Sequence, residues 1–265
     1  MRIARVADLS GAIHHACPTE ERGTFEELAG SWETGFHLTG KIMTGARLLA
    51  PLDPPAIYAI GLNYHDHAVE TGAPIPSHPV VFLKNIRAVT GPGQPIRLPR
   101  KLRSDEVDSE AELAIVLARD CCNATRENAM QHVAGFTCAN DVSARDWQKR
   151  RSGGQWSRAK SFDTFCPLGP WIETDLDPSN VTVRGILNDR VVQEASTSLL
   201  IFSVPYLISY ISHSLTLVPG TVLLTGTPAG CGFAHQPPLY LKQGDVFHVE
   251  VDGIGRLSNP VENAK

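Results

Sequence analysis

Short apolar runs, separated by glycine and proline, dominate this sequence and predict a protein built mainly of β-strands. Most runs are too short for a buried helix, and several are rich in the β-branched residues that favour strands. We expect strands over residues 3–7, 57–62, 80–84, 113–117, 134–138, 171–173, 181–187, 221–225 and 246–251.

Helical signals are sparse and consist of capping residues, a first-turn proline or a glycine after the last turn. One segment opens on Thr24 with Glu27 three residues later, which is the spacing of a capping box. Another runs from Asn63 as a cap to Gly72 as a stop. Many short strands with few helices favour a β-dominated α+β fold over a doubly wound sheet. The expected helices cover residues 24–29, 63–72, 125–133 and 205–213.

A proline-rich stretch divides the chain near residue 50. Prolines at positions 51, 54 and 55 suit neither a helix nor a central strand, so this stretch is expected to be a linker. We therefore expect a small N-terminal subdomain over residues 1–50 and a main domain over residues 51–265.

The composition of the 265 residues is that of a globular protein, with 42% hydrophobic and 20% charged residues. A formal net charge of −4 gives no electrostatic reason to bind nucleic acid, and no apolar run approaches the roughly 20 residues of a membrane-spanning helix. Six cysteines without a C-x-x-C pair suggest a reduced protein and not a disulfide frame or a zinc site. We expect a cytoplasmic protein that binds neither nucleic acid nor membrane. A mitochondrial location is the alternative if a cleaved presequence precedes this sequence.

Two glutamates one residue apart, Glu110 and Glu112, precede a β-branched run, and Asp141 follows further along the chain. Alternate residues of a strand project from the same face, so both glutamates are expected to point the same way. Three carboxylates with no histidine or cysteine beside them suit a hard cation, Mg²⁺ before Ca²⁺ or Mn²⁺. Read alone, the glutamate pair also fits a solvated acidic edge.

His67 and Glu70 are three residues apart on the helix expected over 63–72, so the carboxylate can orient the imidazole. A histidine held in this way is a common general base for activating water. The proline-rich stretch 73–79 that follows is a candidate hinge for a lid. An ordinary surface pair is the alternative.

Polar residues after Asp141 form a third candidate group. Arg145, Gln148 and Lys160 would make a donor cluster for a developing oxyanion if they converge near a metal, and a solvated basic loop is the alternative. The glycine-rich turn around Thr227 lacks the spacing of a phosphate loop. Its hydroxyl and backbone N–H groups suit a small carboxylate, although a plain tight turn fits equally well.

Taken in order, these segments resemble the fumarylacetoacetate hydrolase family, and the resemblance covers roughly residues 56–260. The run 160–170, together with 237–242, is most similar to the short domain-containing branch. Ser109 departs from the family pattern, which commonly has an aromatic residue there; we expect this to affect packing and not the metal. The matching stretches are 61–72, 91–93, 108–117, 140–146, 160–171 and 225–232.

The resemblance implies a mixed β-roll or sandwich in the main domain, which would be the catalytic one, and a homodimer. It implies a cofactor, Mg²⁺ or Mn²⁺, held by Glu110, Glu112 and Asp141. It also implies a water-activating dyad and a set of oxyanion or substrate contacts. The catalytic residues would be His67, Glu70 and Lys160, and the substrate contacts Arg145, Gln148 and Thr227.

The expected substrate is a small 2-oxo acid that chelates the metal. Our leading hypothesis is hydrolysis of a C–C bond in a 2,4-dioxo acid of the acylpyruvate or fumarylpyruvate type. Water activated by His67 would attack the distal carbonyl, and the bond would break to a metal-bound enolate. Decarboxylation or keto–enol tautomerisation of oxaloacetate uses the same enolate and is a close alternative. Isomerisation or hydration of a 2-oxo-dienoate and a non-catalytic binding protein with this fold are further alternatives.

Overall fold

The structure is a computed structural model and describes residues 1–32 and 34–264. Strands make up most of its regular structure. In chain order they are β1 (Arg2–Ala7), β2 (Ile13–Pro18), β3 (Thr24–Ser31), β4 (Gly35–Thr44), β5 (Arg47–Leu48), β6 (Ile57–Gly61), β7 (Val80–Lys84), β8 (Val89–Thr90), β9 (Ile96–Leu98), β10 (Val107–Asp108), β11 (Ala111–Leu117), β12 (Val133–Asn140), β13 (Ser143–Ala144), β14 (Cys166–Glu173), β15 (Thr182–Leu187), β16 (Arg190–Ser196), β17 (Val222–Leu224), β18 (Val246–Val251) and β19 (Gly255–Asn263).

Helices are few and short. Within the described residues, no helix has the length and apolar character needed to cross a membrane. The α-helices are α1 (His65–Thr71), α2 (Trp156–Ala159) and α3 (Val204–Ser212), and a π-helix covers Trp147–Arg151. Single 3₁₀ turns cover Ile86–Ala88, Ala129–His132, Thr197–Leu199 and Gly232–Ala234.

Strand β11 lies in the middle of the main sheet, and its seven residues are all buried. It pairs antiparallel with β12 on one side and with β17 on the other, and β17 pairs in parallel with β6. The strand order is β4-β3-β2-β1-β14-β12-β11-β17-β6-β7. Because β11 has neighbours on both edges and no exposed face, its register is strongly specified and its side chains are held in place.

A second sheet, β16-β15-β18-β19-β9, packs against the main one. Its inward residues Val183, Val249 and Leu257 belong to the same apolar core as Leu113 and Phe136 of the main sheet. Two sheets that share one core are the expected way to bury strands with one apolar face. The β-dominated α+β fold with mixed sheets is therefore confirmed.

Strand β1 joins the N-terminal residues to the main sheet. Arg2 and Ile3 pair with β14, whereas residues 4–7 pair with β2. The N-terminal strands also enclose a small apolar cluster of their own. A domain boundary at residue 50 stays a prediction, because β1 belongs to both parts. The cluster consists of Ala4, Val6, Ala16, Phe25 and Met43.

The helix predicted over 24–29 is wrong, because these residues lie in β3, which pairs antiparallel with β2 and with β4. Thr24 and Glu27 have the spacing of a capping box, but that local preference is weak. Two backbone ladders and the burial of Phe25 outweigh it.

The helix predicted over 125–133 is reduced to the 3₁₀ turn Ala129–His132. Val133 already belongs to β12, so the segment has no room for further helical turns. Its start is also tied to α3, since the amide of Ala124 donates to Ser212 Oγ at 3.0 Å. The contacts with β12 and α3 therefore override the local preference of this segment for a helix.

The helices predicted over 205–213 and before Gly72 are confirmed as α3 and α1. Gly72 ends α1 with a left-handed backbone, φ 66°. The cap assignment of Asn63 is wrong, because its side chain bonds the backbone of Phe202 and Thr225 at 2.7 to 3.0 Å. Asn63 therefore links the end of β6 to two distant segments instead of capping the helix.

Candidate active site

Strands β11 and β12 bring the three predicted ligand carboxylates together. Ala111 pairs with Asn140 in the ladder, and the amide of Asp141 donates to the carbonyl of Glu110 at 2.9 Å. This register places Glu110, Glu112 and Asp141 side by side. Their carboxylate oxygens lie within 4.8 Å of one another, and all three residues are buried.

Asn140 holds the chain in place just before β11. Its Oδ1 accepts a hydrogen bond from the amide of Glu110 at 3.2 Å, and its Nδ2 donates to Ser109 Oγ at 3.1 Å. Ser109, the position that departs from the family pattern, is buried with its hydroxyl in this network. The serine thus helps to fix the Asn140 side chain that binds the backbone of Glu110.

Two buried lysines contact these carboxylates. Lys160 Nζ lies 2.7 Å from Glu110 Oε2 and 2.7 Å from Asp141 Oδ2. Lys84 Nζ lies 2.5 Å from Asp141 Oδ1 and also donates to the carbonyl of Lys160. Lys84 is absent from the predicted site. Its position at the end of an apolar strand is the one feature of the sequence that could have indicated a role for it. Both lysines offset charge that burial would otherwise make very costly.

The charges in the cluster are unevenly balanced. Burial acts to raise the pKa of Glu110, but the positive charges of Lys160 and Arg145 hold that pKa well below its usual range. Burial and the negative charges of Asp141 and Glu110 raise the pKa of Glu112 well above its usual range. Negative charge is therefore concentrated around Glu112, where a divalent cation would relieve the repulsion.

The donor set fits a hard divalent cation. Glu110, Glu112 and Asp141 offer only oxygen atoms, which suit Mg²⁺ or Mn²⁺. Each carboxylate oxygen has two lone pairs, so the contacts with Lys84 and Lys160 do not use up the capacity of these groups.

Arg145 connects the cluster to a fourth buried carboxylate. A short antiparallel ladder between β10 and β13 pairs Asp108 with Ser143, two residues before the arginine. Arg145 donates to Asp108 at 2.7 Å, to Glu110 at 2.5 Å and to Gln148 Oε1 at 2.9 Å. Burial raises the pKa of Asp108 despite this contact. Asp108 also accepts a bond from the amide of Phe233 and is a site residue that the sequence interpretation missed.

Helix α1 carries the predicted dyad. His67 Nδ1 lies 3.2 Å from Glu70 Oε2, and the other oxygen of Glu70 accepts a bond from the amide of Gly230 at 2.8 Å. The glycine-rich turn thus fixes the carboxylate that orients the imidazole. Cys231, the next residue of that turn, places its sulfur 3.8 Å from His67 Nδ1.

One cavity of about 350 Å³ lies between these elements. Its size suits a small organic acid. Asp141 and Glu70 lie behind its wall in contact with Lys160 and His67, and Glu112 lies beside Glu110. Six of the nine predicted site residues therefore line one cavity, and the other three lie next to residues of its wall. The charged and polar part of the wall consists of His67, Thr71, Glu110, Arg145, Gln148, Lys149, Lys160 and Thr227.

Thr227 lines the cavity, but its hydroxyl already has two partners. It donates to the carbonyl of Ala111 at 3.0 Å and accepts from Gln193 Nε2 at 2.7 Å. Gln193, on β16, also accepts a bond from the amide of Ala111 at 2.9 Å. These bonds hold the turn against β11, and a substrate contact by Thr227 stays a prediction.

Known proteins are similar to this chain in sequence and in structure. Residues 56–262 match the family model described as fumarylacetoacetate hydrolase, C-terminal. A mitochondrial oxaloacetate tautomerase of Xenopus laevis is 47% identical over 218 residues, which cover 81% of this chain and 68% of that protein. The fumarylacetoacetate hydrolase domain-containing protein 2 homolog of Dictyostelium discoideum is 43% identical over 82% of this chain and 74% of its own length. The crystal structure of a 5-carboxymethyl-2-hydroxymuconate delta-isomerase from Mycobacterium smegmatis is 41% identical, covers 100% of both chains and has a TM-score of 0.88.

Proposed function

The chain belongs to the fumarylacetoacetate hydrolase family, in its domain-containing branch, and we propose that it interconverts the keto and enol forms of oxaloacetate with the help of a divalent metal. One observation carries the proposal: His67 lines a small cavity whose wall also holds Arg145 and Lys160. A base and two cations around a small space suit proton transfer beside the carbonyl of a 2-oxo acid. The oxaloacetate tautomerase among the relatives supports the choice of substrate.

The roles of the side chains follow from their contacts. Glu110, Glu112 and Asp141 would hold Mg²⁺ or Mn²⁺, which supplies a Lewis acid for the oxygens of the substrate. His67, oriented by Glu70, takes the proton from the carbon next to the 2-oxo group and then gives a proton to the 2-oxo oxygen, which completes the enol. The reverse reaction moves one proton from that oxygen back to the carbon, so no atom is gained or lost.

The donors in the wall have capacity left for substrate. Lys160 uses two of its three ammonium hydrogens on Glu110 and Asp141, which leaves one for the developing oxyanion. Gln148 accepts from Arg145 through Oε1, so its NH₂ group is available to a substrate oxygen. We expect both groups, which line the cavity, to stabilise the negative charge of an enolate.

A further cation suits the second carboxylate of a diacid. Lys149 lines the cavity and is exposed, and its ammonium lies 4.1 Å from the centre of the Phe233 ring. In the part of the chain that the structure describes, no carboxylate lies within 4.0 Å of this ammonium. We infer that Lys149 contacts the distal carboxylate of oxaloacetate.

The test is the decay of enol absorbance after enol oxaloacetate is added to purified protein with Mg²⁺. We expect decay well above the spontaneous rate and loss of that acceleration in His67→Ala. Decay at the spontaneous rate in Mg²⁺ and in Mn²⁺ would contradict the proposal. Release of carbon dioxide at the same rate as enol loss would identify decarboxylation instead.

Hydrolysis of a 2,4-dioxo acid is the second candidate, because Glu70 is fixed on two sides, by His67 and by the amide of Gly230. A carboxylate held by two partners suits the orientation of a base that must hold an attacking water. The measurement is the loss of dioxo-acid absorbance and the formation of pyruvate from acetylpyruvate and fumarylpyruvate. Turnover of these compounds, with no acceleration of oxaloacetate enol decay, would make hydrolysis the main activity.

We also propose a homodimer, which the family resemblance implies. Light scattering on the purified protein tests this directly. A mass near twice the chain's 28.8 kDa is expected, and a monomer at micromolar concentration would contradict it.

A further inference from the structure

A second group of potential metal ligands shares Glu110 with the carboxylate cluster. The ligand atoms of His67, Glu110 and Cys231 lie within 4.8 Å of one another, and all three residues are buried. The residues come from α1, from the position just before β11 and from the glycine-rich turn. Sequence spacing gives no sign of the group, because the three residues lie far apart along the chain.

The two groups differ in donor chemistry. Glu110, Glu112 and Asp141 offer oxygen only, whereas the second group offers one nitrogen, one sulfur and one oxygen. Imidazole and thiolate favour borderline ions such as Zn²⁺ and Co²⁺ over Mg²⁺. One region of the molecule therefore combines a hard site and a softer site.

The cysteine sulfur is held by weak contacts. Gln193 Nε2 approaches Cys231 Sγ at 3.6 Å, and the sulfur lies 3.9 Å from the carbonyl of Pro228. Sulfur is a poor hydrogen-bond partner, so little is lost when it turns to a metal. The carboxylate of Glu70 contacts His67 Nδ1 and leaves Nε2 to a metal, as second-shell groups do at histidine metal ligands.

We propose that His67, Glu110 and Cys231 bind Zn²⁺ or a similar ion, and that this ion inhibits the enzyme. The sulfur–metal bond forms as the thiol proton passes to the solvent. The ion occupies the imidazole that serves as the base and a carboxylate that the hard cation requires. Excess Mg²⁺ therefore competes with it through Glu110. The inhibition rests on the proposed function, whereas the site itself does not.

Cobalt is the probe for the site, because a cysteine thiolate bound to Co²⁺ gives a charge-transfer absorption that oxygen ligands do not. We expect the metal-free protein to show this band on titration with Co²⁺, and Cys231→Ser to lose it. Cys122→Ser, at an exposed cysteine outside the cavity, should keep it. The absence of the band in the unchanged protein, or its persistence in Cys231→Ser, would overturn the proposal.

A second measurement separates the site from the activity. In Cys231→Ser, the Zn²⁺ concentration for half inhibition in excess Mg²⁺ should rise by at least the roughly 10–100-fold that the loss of a second-shell group typically costs. A thiolate–cobalt band in a protein without turnover would support the site and count against the proposed function. Unchanged zinc sensitivity in Cys231→Ser would overturn the inhibitory role. Should that variant unfold at a lower temperature, His67→Gln provides the same cobalt test, with a loss of affinity expected.

Discussion

The two halves of the candidate active site are built on very different supports. The carboxylate cluster stands on β11, on the residue just before it and on the residue just after β12, and its members are at most 5% exposed. The dyad stands on α1, a seven-residue helix whose Val69 is 65% exposed. Ile75, in the stretch that follows, is 53% exposed. One half is fixed by ladders on both sides, the other by a few side-chain contacts.

The difference matches the separate tasks of the two halves, metal binding and proton transfer. A metal site needs ligand atoms that stay in place, and a central strand provides this because its register is fixed. A base beside a cavity must let substrate in and product out, and a short helix with few apolar contacts opens at low cost. We therefore expect changes in the sheet half to alter global stability and metal binding, and changes in the helix half to alter turnover and the local stability of α1.

Asp141→Asn should give the largest effect. This carboxylate faces Lys84 and Lys160, both with buried side chains, so its loss leaves Lys84 without its carboxylate partner and Lys160 with Glu110 alone. We expect a loss of about 3–5 kcal/mol in the free energy of unfolding, together with loss of Mg²⁺ binding. Urea unfolding and calorimetry measure these quantities.

The matched control for this change is Glu194→Gln, which removes the carboxylate of a more exposed ion pair with Arg184. Its cost should stay below about 1 kcal/mol. If Asp141→Asn were as stable as this control, the sheet half would not depend on its buried charges.

His67→Ala should act on turnover without affecting the sheet. Removal of a general base typically lowers the rate by about 10²–10⁴-fold. Because the carboxylate cluster does not depend on α1 for its register, Mg²⁺ affinity should change by less than about threefold. Steady-state kinetics and calorimetry test both statements. A large loss of metal affinity would show that the two halves are coupled through Glu110.

A contrast between local patterns and long-range contacts also explains which features could be predicted from the sequence. Strands over 57–62, 80–84 and 246–251 could be predicted because their apolar patterns are local. The predicted site residues likewise have local signals or match motifs of the family. Lys84 and Asp108 were missed, because what makes each of them matter is a partner more than thirty positions away in the chain. Only the register of the folded strands reveals such pairs, and the same holds for the helix wrongly expected over 24–29.

Gly72 tests how far the dyad depends on the end of its helix. Its backbone is left-handed and open space surrounds the position, so backbone strain alone should decide the effect of a substitution. Gly72→Val should destabilise the end of α1 by about 1–2 kcal/mol, whereas Gly72→Asn should cost less because asparagine tolerates this conformation. Hydrogen exchange of residues 65–72 should rise more in the valine variant, and kcat should fall several-fold. Equal exchange in both variants would contradict a role for backbone strain.

Lys149→Met should give the smallest effect. It tests most directly whether the cavity recognises a second carboxylate of the substrate. The ammonium is exposed at the cavity, so its contact with a distal carboxylate is worth at most about 1 kcal/mol. The KM for oxaloacetate should rise by about two- to fivefold, while the KM for a 2-oxo acid with one carboxylate should stay the same. Lys242→Met, at an exposed lysine outside the cavity, is the control and should change neither value. An equal rise for both substrates would show that Lys149 serves the general charge of the cavity and does not recognise the second carboxylate.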